Sequence, residues 1–132
     1  MSPKKRKVSF QEIREMGRQM LDEHGLHDWE FSVGNLSNPG LYGNDVEDIF
    51  YKRIATCVHQ LMMIELDWNF WVAKKHSRAE LRQTILHEIA HALLPPNAKH
   101  GSEWITKARE LGCAHQHLRR YRRELERSPN DL

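Results

Sequence analysis

Residues 77–94, SRAELRQTILHEIAHALL, decide the fold, because their pattern predicts a helix with a core-facing side and a polar group on the other side. Ser77 and Glu80 have the spacing of a capping box at the start of this helix, and Pro95 stops it. At 100° per residue, the apolar side chains between these signals cover one half of the helix. The remaining part carries the residues on which the functional argument depends.

The motif His87-Glu88-Ile89-Ala90-His91 places two histidines one helical turn apart. At this spacing both imidazoles can reach one Zn²⁺, and Glu88 projects beside them, where it can take a proton from metal-bound water. A buried carboxylate without a partner would cost on the order of several kcal/mol, so stability alone does not account for Glu88. The motif therefore predicts a zinc site.

A third ligand should lie downstream, because a catalytic zinc usually takes three protein ligands and leaves the fourth position for water. His100 is the favoured residue, since the break at Pro95-Pro96 lets the chain turn back toward the metal and Gly101 frees the backbone beside it. Glu103, in the following helix, is the alternative, by analogy with zincins that use a carboxylate.

The rest of the chain predicts an α+β fold with an N-terminal helix, a small three-stranded sheet, the HExxH helix packed against it, and C-terminal helices. A long loop should follow the first strand from Leu36 to Asp48. The predicted elements are a helix at 9–24, strands at 29–33, 53–60 and 61–68, the HExxH helix, and helices at 102–111 and 115–127.

Alternation along the third strand places Met62, Ile64, Leu66 and Trp68 on one buried face, opposite Glu65 and Asp67. The large aromatic residues divide into predicted core residues and candidates for a binding groove. Trp29, Trp68 and Trp104 should lie in the core, whereas Phe70 and Trp71 are candidates to line a peptide groove.

Length and composition describe one soluble globular domain, since 132 residues with 39% hydrophobic and 29% charged residues exclude collagenous and disordered classes. The absence of a long apolar run or an apolar leader predicts an intracellular, cytoplasmic protein without a membrane partner. Residues Pro3–Val8, PKKRKV, resemble a nuclear import signal or a tag, and would direct the protein to the nucleus of a eukaryotic host. We expect a monomer.

Charge is concentrated at the two ends of the chain. Residues 4–7 carry +4 and residues 119–127 carry +3, which leaves −5 for the rest. Two basic ends on a mildly acidic body could hold DNA against the surface. The candidate contacts are the N-terminal basic arm and four arginines, Arg119, Arg120, Arg122 and Arg123.

Several motifs together resemble a known family. Residues 84–93 (TILHEIAHAL), then His100-Gly101 with Trp104, then Leu111-Gly112, are similar to the pattern of SprT-like zinc metalloproteases, the family that includes Spartan. Residues 24–31 look like the family's helix-to-strand junction, and Cys57, Ile64 and Leu66 resemble its middle strands. The resemblance covers about residues 9–113.

The resemblance implies a zincin-like metalloprotease core at 9–113, between a flexible arm at 1–8 and a basic C-terminal helix and tail at 114–132. It implies that His87, His91 and His100 bind zinc and that Glu88 is the catalytic base in hydrolysis of a protein or peptide substrate. Relatives that repair DNA–protein crosslinks act through DNA-binding elements appended to the core. The arginine-rich end is the candidate for such an element here.

A second interpretation is a DNA-associated binding module whose zinc is structural and whose protease activity is negligible. A fourth protein ligand, such as Cys113 or His115, would favour this interpretation, because a closed site has no water to activate.

Other chemistry is open at two further places. A second metal site could form from Cys113 with His115 and His117, or from Cys57 with His59, although one intervening residue is tighter than usual zinc spacing. His115, His117 and Tyr121 are also candidates to stabilise an oxyanion, since they follow the last family motif and could fold over the cleft.

Overall fold

The computed structural model describes residues 5–36, 54–72, 75–114 and 118–119 of the chain. Within these ranges the fold is α+β, as predicted. The helices are α1 (Phe10–Glu23), the short α2 (Trp68–Trp71), α3 (Arg78–Ala92) and α4 (Ser102–Leu111), and the strands are β1 (Arg6–Lys7), β2 (Glu30–Gly34), β3 (Ala55–Val58), β4 (Met63–Asp67) and β5 (Lys75–His76).

The main sheet has three strands in the order β2-β4-β3. Strands β3 and β4 form an antiparallel hairpin, joined through a 3₁₀ turn at His59–Leu61. Strand β2 lies parallel to β4, with Phe31 opposite Ile64 and Val33 opposite Leu66. The strand ranges predicted from the sequence did not include this pairing, because periodicity within a strand says nothing about which distant strand will be its neighbour.

The central strand β4 is buried on both faces, which corrects the prediction of one buried face. Ile64 and Leu66 lie in the core, and Glu65 and Asp67 on the other face are buried as well. Asp67 is hydrogen bonded in this position, because its carboxylate accepts the backbone N–H of Leu36 at 3.0 Å and that of Phe70 at 2.9 Å. A buried carboxylate is tolerated when donors of this kind surround it.

The tryptophans at the end of β4 exchange the places predicted for them. Trp68 is 46% exposed, whereas Trp71 is 2% exposed and donates its Nε1–H to the carbonyl of Ile54 at 2.9 Å. Alternation ends at Asp67, because its side chain caps α2 and the chain turns into a helix there. Phe70 packs edge-on against Trp71 and so belongs to the same cluster.

Both predicted capping boxes are present. Ser9 Oγ accepts the N–H of Glu12 at 3.1 Å at the start of α1, and Ser77 Oγ accepts the N–H of Glu80 at 3.1 Å at the start of α3. Each cap stabilises its helix by about 1 kcal/mol. The two helices begin where the sequence placed them, and α3 ends two residues earlier than predicted, at Ala92.

Helix α1 lies close against β2 through a glycine. A Cβ atom added at Gly17 would lie 2.3 Å from the ring of Phe31, so no larger residue fits without movement of that ring. The core continues from α1 to α3 through fully buried side chains such as Ile13 and Ile85. Helix α3 in turn contacts β3 and α4, which places the HExxH segment between the sheet and the last described helix.

The N-terminal basic segment is part of the fold from residue 5 onward, in contrast to the flexible arm predicted for 1–8. Strand β1 pairs antiparallel with β5, and Val8 is buried in the core. Arg6 forms an ion pair with Glu12 at 2.6 Å, and Lys5 forms one with Glu80 at 3.3 Å. Residues 1–4 lie outside the described ranges.

Several predictions fall on segments that the structure does not describe. Residues 37–53, which include almost all of the loop predicted from Leu36 to Asp48, lie outside it. So does the predicted C-terminal helix at 115–127, apart from Leu118 and Arg119, which are helical. None of the helices in the described ranges is long and apolar enough to cross a membrane.

Candidate metal centre

Helix α3 holds His87 and His91 on adjacent turns, as the spacing predicts. Their rings lie with centroids 5.1 Å apart. The segment that carries them is buried almost all round, because the sheet lies on one side and α4 on another. His87 itself is buried and His91 is half-buried.

His100 reaches the same place from the segment after α3. A 3₁₀ turn at Pro96–Ala98 follows the helix, and Lys99 then adopts φ 48° and ψ −136°, a conformation that favours glycine. Gly101 has an ordinary φ of −74°, and its Cβ would lie 3.2 Å from the carbonyl of Ala98. The glycine therefore supplies space beside His100, whereas the turn depends on the conformation of Lys99.

The three imidazoles converge through their Nε2 atoms. His100 Nε2 lies 3.0 Å from His87 Nε2 and 3.1 Å from His91 Nε2. Nitrogens bound to one tetrahedral zinc at 2.0–2.1 Å are about 3.4 Å apart, so the imidazoles would have to move slightly apart to bind the ion. The donor set therefore fits a metal ion, and these residues form the group that could hold one among the described residues.

A tryptophan forms the floor of the histidine cluster. Trp104 is 0% exposed, and its ring centroid lies 4.5 Å from that of His87, 5.3 Å from that of His91 and 4.8 Å from that of His100. Its Nε1–H donates to the backbone carbonyl of His87 at 3.3 Å. The indole thus limits the orientations of all three imidazoles at once.

The electrostatic setting keeps His91 in the form that binds metals. Burial, and after it the charges of the neighbouring His100 and His59, together lower the pKa of His91 to about 3. The imidazole is therefore neutral at physiological pH. A neutral imidazole has a lone pair available for a cation.

Glu88 lies next to the histidines on α3. It is 6% exposed, and its Oε1 lies 4.0 Å from His87 Nε2. Its carboxylate also acts at a distance on Cys57 of β3, where burial first and the charge of Glu88 second raise the pKa of the thiol. Glu88 is thus a buried carboxylate close to His87, and its charge acts as far as Cys57 on β3.

The alternative residues are not part of this cluster in the described ranges. Glu103 is exposed on the first turn of α4. Cys113 is a buried free thiol, and burial raises its pKa to about 11, which favours the protonated form over a metal-binding thiolate. His115, His117 and Tyr121 lie outside the described residues, so their predicted roles stay predictions.

Cys57 and His59 approach each other, with Sγ 4.0 Å from Nδ1, but no third ligand joins them among the described residues. His59 instead contacts the end of α3, a role that the sequence analysis missed. No local pattern could have indicated it, because the partners are 32 and 35 residues away. The role of Trp104 as a floor is also new, although its spacing from His100 was part of the motif.

These features define a class: an α+β domain with a cluster of three histidines that could hold a metal ion and a buried carboxylate beside it. A sequence model of the SprT-like family matches residues 42–126, and the chain belongs to that family. This confirms the resemblance inferred from the motifs. SprT-like proteins are associated with zinc and, in general, with metallopeptidase activity. No curated protein and no solved structure matches the chain significantly.

Proposed function

We propose that this protein is a zinc-dependent metalloendopeptidase with a zincin-like core, in which His87, His91 and His100 hold the metal and Glu88 is the general base. The observation that carries the proposal is the convergence of three Nε2 atoms at 3.0 and 3.1 Å beside a buried carboxylate. Family membership supports it independently.

The residues of the chain have separable roles in this proposal. When bound, Zn²⁺ would lower the pKa of a water molecule and polarise the scissile carbonyl. Glu88 takes the proton from the attacking water on its carboxylate and later passes it to the leaving amine. His87 and His91 provide a ligand pair fixed by one helix, and His100 completes the set from the following segment.

The principal experiment is the substitution Glu88→Gln, which keeps the shape of the side chain and removes the base. We expect hydrolysis of casein or histone to fall by at least about 100-fold, the usual contribution of general base catalysis, while zinc content stays at one ion per chain. Cleavage at the wild-type rate would contradict the role of Glu88. Full zinc content without cleavage in the wild type would favour the structural-zinc interpretation.

A second experiment separates the two candidates for the third ligand. His100→Ala should lower zinc affinity steeply, whereas Glu103→Gln, which changes an exposed carboxylate on the next helix, should leave zinc affinity and hydrolysis unchanged. A metal-competition titration measures both variants. The reverse order of effects would identify Glu103 as the ligand.

We also propose that the basic ends direct cleavage to proteins bound to DNA. Of the four arginines, Arg119 is exposed within the described residues and the others follow it in sequence. Four contacts to phosphates of single-stranded DNA would contribute up to about 3 to the slope of log K against log salt. Replacement of all four by Gln should therefore reduce that slope, measured with a fluorescent oligonucleotide. An unchanged slope would exclude them as DNA contacts.

A further inference from the structure

His59 makes two hydrogen bonds to the backbone at the C-terminal end of α3 and just after it. Its Nε2 lies 2.7 Å from the carbonyl oxygen of His91 and 2.9 Å from that of Leu94. Both partners are acceptors only, so this nitrogen carries the hydrogen and donates to the two carbonyls. The imidazole thus spans the last turn of α3 and the first residues after it.

These two carbonyls belong to functionally different segments. The last carbonyls of a helix have no partner within the helix and are often bound by a side chain from elsewhere. One of the two carbonyls that His59 contacts is that of His91, a candidate ligand on α3, and it also accepts the N–H of Leu94 at 3.2 Å. The other, Leu94, opens the segment that runs through Pro95 to His100. The imidazole of His59 therefore adds a side-chain link, beside the backbone hydrogen bond from the Leu94 N–H to the His91 carbonyl at 3.2 Å, between the segments that carry the helical ligands and the third ligand.

His59 is itself held in a defined place. Its ring packs edge-on against Trp29, with centroids 5.8 Å apart and planes at 85°. Its backbone carbonyl accepts the N–H of Met62 at 3.1 Å, and Met62 takes a left-handed conformation with φ 48° to close the turn between β3 and β4. Contacts with Trp29 and with the turn between β3 and β4 therefore fix the position of the imidazole that contacts α3.

We infer that His59 is a positioning residue of the metal centre, which sets the distance between the helical pair His87 and His91 and the third ligand His100. The inference rests on the proposed function in one respect, namely that these histidines bind a metal. His59 acts through the main chain and not on the metal. Loss of the His59 side chain should leave all three ligand residues in the protein but make the distances between their Nε2 atoms less well defined.

The test compares three variants of the full chain with the wild type. His59→Leu removes the donor and keeps the bulk, and His59→Gln restores one N–H donor at a similar reach. The matched control is Ser77→Ala, which removes the cap at the opposite end of the same helix. For each protein we would measure zinc affinity by chelator competition, the visible spectrum of the Co²⁺ form, and the urea midpoint without metal.

His59→Leu should bind zinc about 10- to 100-fold more weakly, the range found when residues that support metal ligands are replaced, and should change the Co²⁺ spectrum. His59→Gln should recover part of that loss. Ser77→Ala should lower the urea midpoint and keep wild-type zinc affinity, because its defect is far from the ligands.

Wild-type zinc affinity in His59→Leu would overturn the inference and leave the proposed function intact. A wild-type protein that binds no zinc would overturn both. If His59→Leu does not fold, His59→Asn replaces it, since its shorter side chain cannot span both carbonyls and should bind zinc more weakly than His59→Gln. Equal affinity of these two variants would then overturn the positioning role.

Discussion

Substitution of Trp104 by Ala should affect stability and zinc binding together. The side chain is fully buried, and replacement of a buried Trp by Ala lowers the free energy of unfolding by about 3–5 kcal/mol. The hydrogen bond to the His87 carbonyl is long, at 3.3 Å, so it accounts for only about 0.5 kcal/mol of this loss. Most of the cost therefore comes from the lost packing of the indole in the core, which includes its contacts with the three imidazoles.

We expect the contacts between Trp104 and the three imidazoles to affect also how strongly zinc stabilises the fold. At a free zinc concentration 100 times the dissociation constant, binding stabilises the wild type by about 2.7 kcal/mol. If the loss of the indole floor weakens zinc binding tenfold, the same zinc concentration stabilises Trp104→Ala by only about 1.4 kcal/mol. Urea unfolding with and without zinc measures both increments.

A buried residue on another helix provides the control. Ile13→Ala, in α1, should cost about 2–5 kcal/mol of stability and keep the full zinc increment. Trp104→Phe gives a milder change if Trp104→Ala unfolds. An equal zinc increment in the wild type and the Trp104 variant would refute the idea that the indole orients the ligands.

Three other predictions concern the backbone, the N-terminal ion pair and the helix–sheet contact. Lys99→Gly should raise the unfolding free energy of the zinc-free protein by about 1 kcal/mol, since it relieves a positive φ, and a lower urea midpoint would contradict this. The hydrogen bond from Arg6 lowers the pKa of Glu12 from 4.5 to about 2, so its stabilisation is present above pH 4.5 and is lost as the pH falls toward 2. Glu12→Gln should therefore lose less stability over that range, and equal acid dependence would exclude the pair. Gly17→Ala should destabilise the protein by about 1–3 kcal/mol despite the better helix propensity of Ala, and added Phe31→Leu should recover part of the loss; a stabilised single variant would show that the ring moves freely.

Local signals in the sequence predicted the parts of the fold that depend on neighbouring residues. The capping boxes at Ser9 and Ser77 and the spacing of His87 and His91 are properties of a few consecutive turns, so they are found at the predicted places. The proline break also predicted that His100 would return to the helix. The sequence did not show how the chain turns back, which depends on the positive φ of Lys99.

Two errors arose where distant segments decide the environment, and a third arose at a local helix cap that was not predicted. Glu65 alternates with apolar residues as an exposed residue would, yet β4 lies between two strands and is buried on both faces. The alternation in the sequence extends to Trp68, but the strand ends at Asp67, whose side chain caps α2, and Trp68 is exposed. His59 carried no signal at all, because its partners come from a helix more than thirty residues away.

The pairing of β1 with β5 has a practical consequence for the basic segment at the start of the chain. A peptide such as PKKRKV is often treated as a signal that is independent of the folded domain and can be removed or moved without effect on it. Here Arg6 and Lys7 are bonded to the protein's own strand, and Val8 fills a site in its interior. A receptor that binds this peptide in extended form would first have to break the pairing of β1 with β5 and expose Val8. Binding of the receptor would therefore be coupled to partial unfolding of the domain.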